Sequence, residues 1–445
     1  MKTDPPHILC INPWIHDFAA FDFWAKPLGL LYIAAILRKK GLKVSFLDCL
    51  DRFHPREPRE AKVLWDGRGP FRKTEIDPPQ GLEHIGQKFS RYGIKPQWFE
   101  SDLKQIKKPD IIFVTSLMTY WAAGVSETLQ AVKKIFPDVP IVLGGIYASL
   151  CFEHAQQNTL ADLVIKGPAE PRLKKIIKTF TKFELDDHDL SGDLDALPFP
   201  ALDLQHKITY APVLTSRGCP FSCEYCASSY LEPRLRRRSP ENVFMEIEHW
   251  HKNHGVKNFA FYDDALLVSA NQYAFPLFEK IISSKMELFF HTPNAVHINA
   301  VSKKAARLMF KAGFKTIRLG LETTDFSKTR NHDKKVGDDD FFNAVENLKT
   351  AGFKKDQVGA YLLCGLPNQN LDEVQMSMHL VKQAGIQPVL AYYTPIPHTA
   401  MWETAVNNSK FNLIEHPVFT NNTLFPCVSS TIDLNRISQL KNQKI

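Results

Sequence analysis

The chain has 445 residues, 44% hydrophobic and 23% charged, with 55 Lys and Arg against 48 Asp and Glu, for a net charge of +7. At about 150 residues per domain this makes two or three domains with cores of their own, and the composition excludes a disordered or fibrous chain. Membrane and nucleic acid are not expected partners: the longest apolar stretches, Leu28–Leu37 and Ile141–Phe152, fall short of the ~18–20 residues of a membrane span, and the densest basic cluster is the short patch Arg234, Arg236, Arg237 and Arg238.

The N-terminus runs straight into a strand-like segment with no signal-peptide core, so the cytoplasm is the expected compartment. A strand is predicted over 7–12, then a helix over 28–40 stopped by Gly41, a strand over 43–48, and a long irregular insertion over 52–109. Strands follow at 111–115, 140–144 and 162–165, with helices at 124–136 and from about 169. Runs rich in Ile, Val and Leu that alternate with helices predict an α/β fold, a doubly wound parallel sheet over residues 1–182. An acidic, Pro-rich linker over 183–212 leads to a second series. Its strands are predicted at 213–216, 258–262, 288–291, 316–321, 357–364 and 388–394. Helices near 240–254, 271–284, 302–312, 338–351 and 371–384 fill the gaps. Six strands and five helices make a partial (β/α)6 barrel over 213–395, capped by a helical extension over 396–445.

The eight cysteines divide unevenly. Cys10, Cys49, Cys151, Cys364 and Cys427 are scattered, whereas Cys219, Cys223 and Cys226 form a C-x3-C-x2-C loop directly after the first barrel strand. Three thiolates can hold three irons of a cubane cluster and leave the fourth open to a small molecule. A zinc knot on Cys223 and Cys226 would need two further ligands, and no second Cys/His pair at zinc spacing is nearby. The loop resembles that of the radical S-adenosylmethionine (radical SAM) superfamily, which also places an aromatic residue, here Tyr225, before the third cysteine. The resemblance covers the whole second half. It implies a 4Fe–4S cluster on the three cysteines, S-adenosylmethionine chelated at the open iron, and a one-electron donor such as flavodoxin or ferredoxin. Tyr262-Asp263-Asp264, Gly320-Leu321-Glu322 and Cys364-Gly365-Leu366-Pro367 end the second, fourth and fifth strands. The resemblance makes Tyr225, Asp263, Asp264, Glu322 and Gly365 its S-adenosylmethionine contacts. Asp263-Asp264 could equally cap the next helix. Asn368-Gln369 stands where related sequences have Gly-Glu, and no role is assigned to it.

In the first half, Pro27-Leu28-Gly29-Leu30, Thr115-Ser116, Gly144-Gly145-Ile146-Tyr147-Ala148-Ser149 and Gly167-Pro168-Ala169-Glu170 resemble the cobalamin-binding domains fused to radical SAM barrels. That resemblance implies a cobalamin site of Leu28, Ser116, Gly144, Gly145, Tyr147, Ser149, Gly167 and Glu170, with small residues at strand ends where a nucleotide tail can approach. The motif Asp-x-His-x-x-Gly is missing; the one Asp-x-His, Asp186-Asp187-His188, lies in the linker. No histidine is therefore expected on cobalt, and Trp65–Gly69 and Arg91–Gly93 of the insertion are expected at the lower face. A flavodoxin-like domain without cofactor is the alternative. The expected reaction is methylation of an unactivated carbon of a small or biosynthetic-intermediate substrate through a 5′-deoxyadenosyl radical. Cobalamin-assisted cyclisation or rearrangement and a non-catalytic sensor stand as alternatives. Methylthiotransferase is disfavoured because Cys10, Cys49 and Cys151 do not form a second three-cysteine set. Tyr392, Tyr393, His398 and Trp402 line the substrate or form an aromatic cap.

Overall fold

Ile8, Leu9, Cys10 and Ile11 are fully buried, as the interior strand of a parallel sheet must be when helices cover both faces. The computed structural model describes residues 4–186, 193–325, 336 and 339–442. It divides into two units, one holding the chain up to Thr209 together with Glu415–Val418, the other holding Tyr210–Ile414 and the chain from Phe419 onward.

The strands of the first unit are His7–Asn12 (β1), Ile15–Asp17 (β2), Lys43–Asp48 (β3), Lys73–Glu75 (β4), Ser90–Tyr92 (β5), Ile111–Val114 (β6), Ile141–Leu143 (β7) and Leu163–Val164 (β8). The order β3-β1-β6-β7-β8 is parallel throughout. The winding direction reverses between β1 and β6, and such sheets bind ligands beyond the carboxyl ends of the strands at that point. Helix Leu28–Lys39 buries most of its length, Leu28 and Leu30 through Leu37, as a helix covering the sheet should. The insertion is more ordered than its composition suggests. Its β5 pairs antiparallel with both β2 and β4, and Pro96–Gln105 is a helix started by proline at its first turn. The stretch 193–209 packs on this unit: Ala201 N donates to Leu31 O at 3.1 Å, and Arg38 holds Asp203 at 2.6 Å.

In the second unit the strands are Ala211–Val213 (β9), Ser216–Arg217 (β10), Arg236–Arg237 (β11), Asn258–Phe261 (β12), Phe289–His291 (β13), Val296–His297 (β14), Phe314–Glu322 (β15), Val358–Cys364 (β16) and Gln387–Tyr392 (β17). Strands β9, β12, β13, β15, β16 and β17 neighbour one another in sequence order and in parallel, with β14 added beside β15. Helices Pro240–His254, Ala274–Ser284, Lys303–Ala312, Asp340–Ala351 and Leu371–Gln383 lie between them in the chain. This is the partial barrel. Its core is aromatic: Phe261 stacks on Phe290 and Phe314 at 5.5 and 5.7 Å, each phenyl contributing about 1.5–3 kcal/mol by burial. One strand departs from expectation. The run 213–216 is not continuous; β9 ends at Val213 and Ser216 joins a hairpin with Arg237, because Thr215 and Ser216 are held by a distant carboxylate. Among the described residues no helix is long and apolar enough to cross a membrane.

Candidate functional site

The three cysteines of the loop follow hairpin strand β10, at the C-terminal side of β9, where parallel barrels assemble their sites. Cys223 is buried; Cys219 and Cys226 are half-buried. Two buried ionic groups grip the approach to the loop. Asp263, 3% exposed, accepts hydrogen bonds from Thr215 N at 3.0 and 3.1 Å, Thr215 Oγ1 at 2.6 Å and Ser216 Oγ at 2.7 Å. Burial pushes its carboxyl pKa up, and these donors oppose the shift. Arg238 donates its N–H to Thr215 O at 2.8 Å and Nη1 to Leu214 O at 3.0 Å, and pairs with Glu246 at 2.5 Å. Arg238 is therefore no part of a solvent-facing basic patch; it is 5% exposed.

A cubane takes each thiolate on a different iron, so its ligands ring a larger object than one metal ion. Among the described residues no three His, Cys, Asp or Glu side chains converge on a single-ion site. The soft, all-thiolate donor set on one loop suits a cluster.

The other strand ends differ in what they offer. Glu322 holds a left-handed φ of +65° where the β15–β16 register shifts between Gly320 and Glu322, the kind of strain that collects at ligand sites. Gly365 has φ +91° and donates its N–H to Gln369 Oε1 at 2.7 Å. Gln369 also accepts from Leu366 N at 3.2 Å and donates Nε2 to Leu363 O at 2.8 Å. An amide can do both and a carboxylate cannot, so the residue given no role in the sequence ties the turn after β16. The Asp263 carboxylate is committed to Thr215 and Ser216, while Asp264 accepts from Ser228 Oγ at 2.9 Å. Tyr225 and Leu366 pack against a cluster of Tyr393, Met401, Ala405, Leu413 and Cys427, with Trp402 beside it. His398 stacks on Tyr230 at 4.1 Å, and Tyr392 meets Phe425 edge-on at 4.9 Å. These residues form an aromatic cap.

At the carboxyl edge of the first unit's sheet, Ser116 Oγ donates to Gly144 O at 2.7 Å and accepts from Ala148 N at 3.1 Å. Ser149 Oγ donates to Gly145 O at 2.7 Å and accepts from Gly167 N at 3.0 Å. Both hydroxyls expected to contact a ligand brace the loops of this edge. Tyr147 is fully buried with its hydroxyl 2.7 Å from His154 Nδ1, and Leu28 and Glu170 are buried. What the edge leaves open is Gly144 and Gly167, where an added Cβ would meet nothing within 4 Å, and the segments after β6 and β7 expose the apolar side chains Met118 and Ile146. Open backbone beside apolar surface is a fit for a large flat ligand with a threaded tail. Sequence reading passed over Met118 and Ile146, which carry no motif. In the insertion, Arg68 pairs with Asp66 at 2.7 Å, Arg91 grips Glu127 with two bonds of 2.7 and 2.6 Å, and Trp65 is exposed. Asp187 and His188 lie outside the described residues.

Asp48 closes the same edge, accepting from Asn12 Nδ2 at 2.7 Å and Leu50 N at 2.9 Å. Burial pushes its carboxyl up to about 6, against the pull of Lys26. The native state then keeps a proton that the unfolded chain, at about 3.9, has released. Stability therefore falls as pH rises from about 4 to about 6. Asp48→Asn keeps both hydrogen bonds without the charge, so urea midpoints of the variant should gain on wild type across that window. A difference that does not change with pH would contradict this.

Comparison with known proteins agrees with the geometry. The Radical SAM superfamily model matches residues 213–381, and the B12 binding domain model matches 93–177. An uncharacterised methyltransferase of Pyrococcus horikoshii is 25% identical over 347 residues, 70% of this chain and 73% of that one. The anaerobic magnesium-protoporphyrin IX monomethyl ester cyclase of Rubrivivax gelatinosus is 23% identical over 328 residues, 66% of this chain and 58% of that one. The radical S-adenosylmethionine methyltransferase TsrM of Kitasatospora setae, solved with tryptophan and an S-adenosylmethionine analogue, shares the fold with a TM-score of 0.65 at 14% identity, over 91% of this chain and 77% of that one. The chain thus carries a radical SAM domain and a B12-binding domain, each on the unit whose edge fits its ligand, and the cofactors these two domains take are a 4Fe–4S cluster with S-adenosylmethionine, and cobalamin.

Proposed function

We propose that the protein methylates an unactivated carbon of a small or biosynthetic-intermediate substrate. The observation that carries the reading is the pairing, in one chain, of a C-x3-C-x2-C loop at the mouth of a parallel barrel with an open glycine at the carboxyl edge of a doubly wound sheet. Cys219, Cys223 and Cys226 hold the cluster; Tyr225, Glu322 and Gly365 bound the S-adenosylmethionine pocket. Gly144, Gly145 and Gly167, braced by Ser116 and Ser149, give the cobalamin its edge. When bound, the cluster supplies an electron to S-adenosylmethionine and cobalamin carries the methyl group. The protein's part is to hold the cysteine loop rigid through Asp263 and Arg238, to shape the pocket turn through Gln369, and to keep water from the site with the aromatic cap around Tyr393 and Trp402. The electron donor is a small reductant of the flavodoxin or ferredoxin class, in the cytoplasm.

The similarity to a cyclase supports a second reading, radical cyclisation or rearrangement without methyl transfer. Anaerobic turnover with candidate substrates separates the two. S-adenosylhomocysteine formed alongside 5′-deoxyadenosine supports methylation; 5′-deoxyadenosine alone supports cyclisation. Neither product, from protein carrying its cluster, would overturn both and leave a sensor.

A further inference from the structure

Asp263 and Asp264 are adjacent at the end of β12, yet they reach opposite ends of the cysteine loop. Asp263 holds Thr215 and Ser216, ahead of Cys219. Asp264 Oδ2 accepts the hydroxyl of Ser228 at 2.9 Å, just past Cys226. The loop is bracketed by one pair of carboxylates, which explains why two acidic residues stand together beside a cluster that is itself an anion.

Ser228 also touches the third cysteine. Its backbone N–H donates to Cys226 Sγ at 3.4 Å, and its Oγ lies 3.2 Å from the same sulfur. As a free thiol Cys226 can give its proton to that oxygen; as an iron ligand it has none to give. The serine hydroxyl has one proton, and it can point to the Asp264 carboxylate or to the cluster sulfur. A carboxylate is the stronger acceptor, and a bond to it is charge-assisted. Hydrogen bonds to cluster sulfurs are one of the protein's means of setting the reduction potential. A donor at the sulfur stabilises the more negative, reduced form and so raises the potential.

We propose that Asp264 holds the Ser228 hydroxyl proton away from Cys226 and thereby keeps the cluster's reduction potential low. Asp264 is on this reading a positioning residue, acting through Ser228. The inference rests on the cluster being carried by Cys219, Cys223 and Cys226. In its absence, wild type shows no reduced-cluster signal at all, an outcome distinct from every comparison below.

The test is an EPR-monitored redox titration of the anaerobically reconstituted full-length chain in four forms: wild type, Asp264→Ala, Ser228→Ala and the double variant. Asp264→Ala frees the hydroxyl to donate to Cys226 and should shift the midpoint upward. The shift should be largely lost in the Ser228→Ala background, and Asp264→Asn, which keeps an accepting Oδ1 but not the charge, should move the midpoint less than Asp264→Ala does. An unmoved midpoint in Asp264→Ala, or a rise that survives removal of the hydroxyl, would overturn the proposal. Should Asp264→Ala fail to hold its cluster, wild type against Ser228→Ala decides by proton hyperfine spectra in H2O and D2O. Identical exchangeable-proton couplings support the proposal, because the hydroxyl was not on the sulfur. Loss of a coupling in Ser228→Ala, with a lower midpoint, shows that Ser228 already donates to Cys226 and refutes it.

Discussion

Glu246→Gln should lower the unfolding free energy by about 3–5 kcal/mol, the usual cost of leaving one member of a buried ion pair without its partner. Glu246 is fully buried and Arg238 is 5% exposed, with the pair at 2.5 Å. Burial pushes the Glu246 carboxyl up and the Arg238 guanidinium pulls it back. The loss should also reach the cysteine loop, because the same guanidinium donates to Leu214 O, and the Arg238 N–H to Thr215 O. Replacing both residues with methionine should recover much of the single-variant loss, since no charge is then stranded. Urea midpoints of Glu246→Met, Arg238→Met and the double variant measure this. A double variant as unstable as the sum of the singles would contradict it.

The second large effect separates two neighbouring glycines. Gly145 has φ +99°, and a Cβ there would lie 2.2 Å from Ser116 O and 2.7 Å from Ser116 N, both backbone. Gly145→Val must therefore push β6 and β7 apart at their carboxyl ends and break the 2.7 Å bond from Ile146 N to Ser116 O. Strain at such a φ is about 1–3 kcal/mol before the clash is counted. Gly144→Ala meets no neighbour within 4 Å and should fold as wild type does, yet its methyl group enters the open edge. We expect retained corrinoid to fall in both variants, with the thermal midpoint falling only in Gly145→Val. Undiminished corrinoid in Gly144→Ala would move the cobalamin away from this edge.

Much of the fold is legible in the sequence where burial is two-sided. β1 and β3 run over the very residues their apolar runs mark, and β12, β13, β15, β16 and β17 fall within about two residues of their patterns, because an interior parallel strand is a continuous apolar run; the two-residue β14 has no pattern to read. The insertion was not legible. Its β5 pairs with β2, far away in the chain, and a three-residue strand leaves no periodicity to read. The candidate site divides in the same way. The cysteine spacing is local and was visible at once. The commitments of the polar side chains are not local. The hydrogen bonds of Asp263 come from Thr215 and Ser216, nearly fifty residues away in the chain, and those of Ser116 and Ser149 from Gly144, Ala148, Gly145 and Gly167 on neighbouring loops. Gln369 was passed over for the same reason, since its role depends on a turn that the chain makes only after folding.

Iron content after anaerobic reconstitution tests most directly whether Cys219, Cys223 and Cys226 carry the chemistry. Wild type should hold about four irons per chain, one cubane, and release 5′-deoxyadenosine from S-adenosylmethionine on reduction. The triple Cys→Ala variant should hold none above background and release no 5′-deoxyadenosine, while keeping its far-ultraviolet circular dichroism. Equal iron and equal 5′-deoxyadenosine in the two proteins would contradict the assignment.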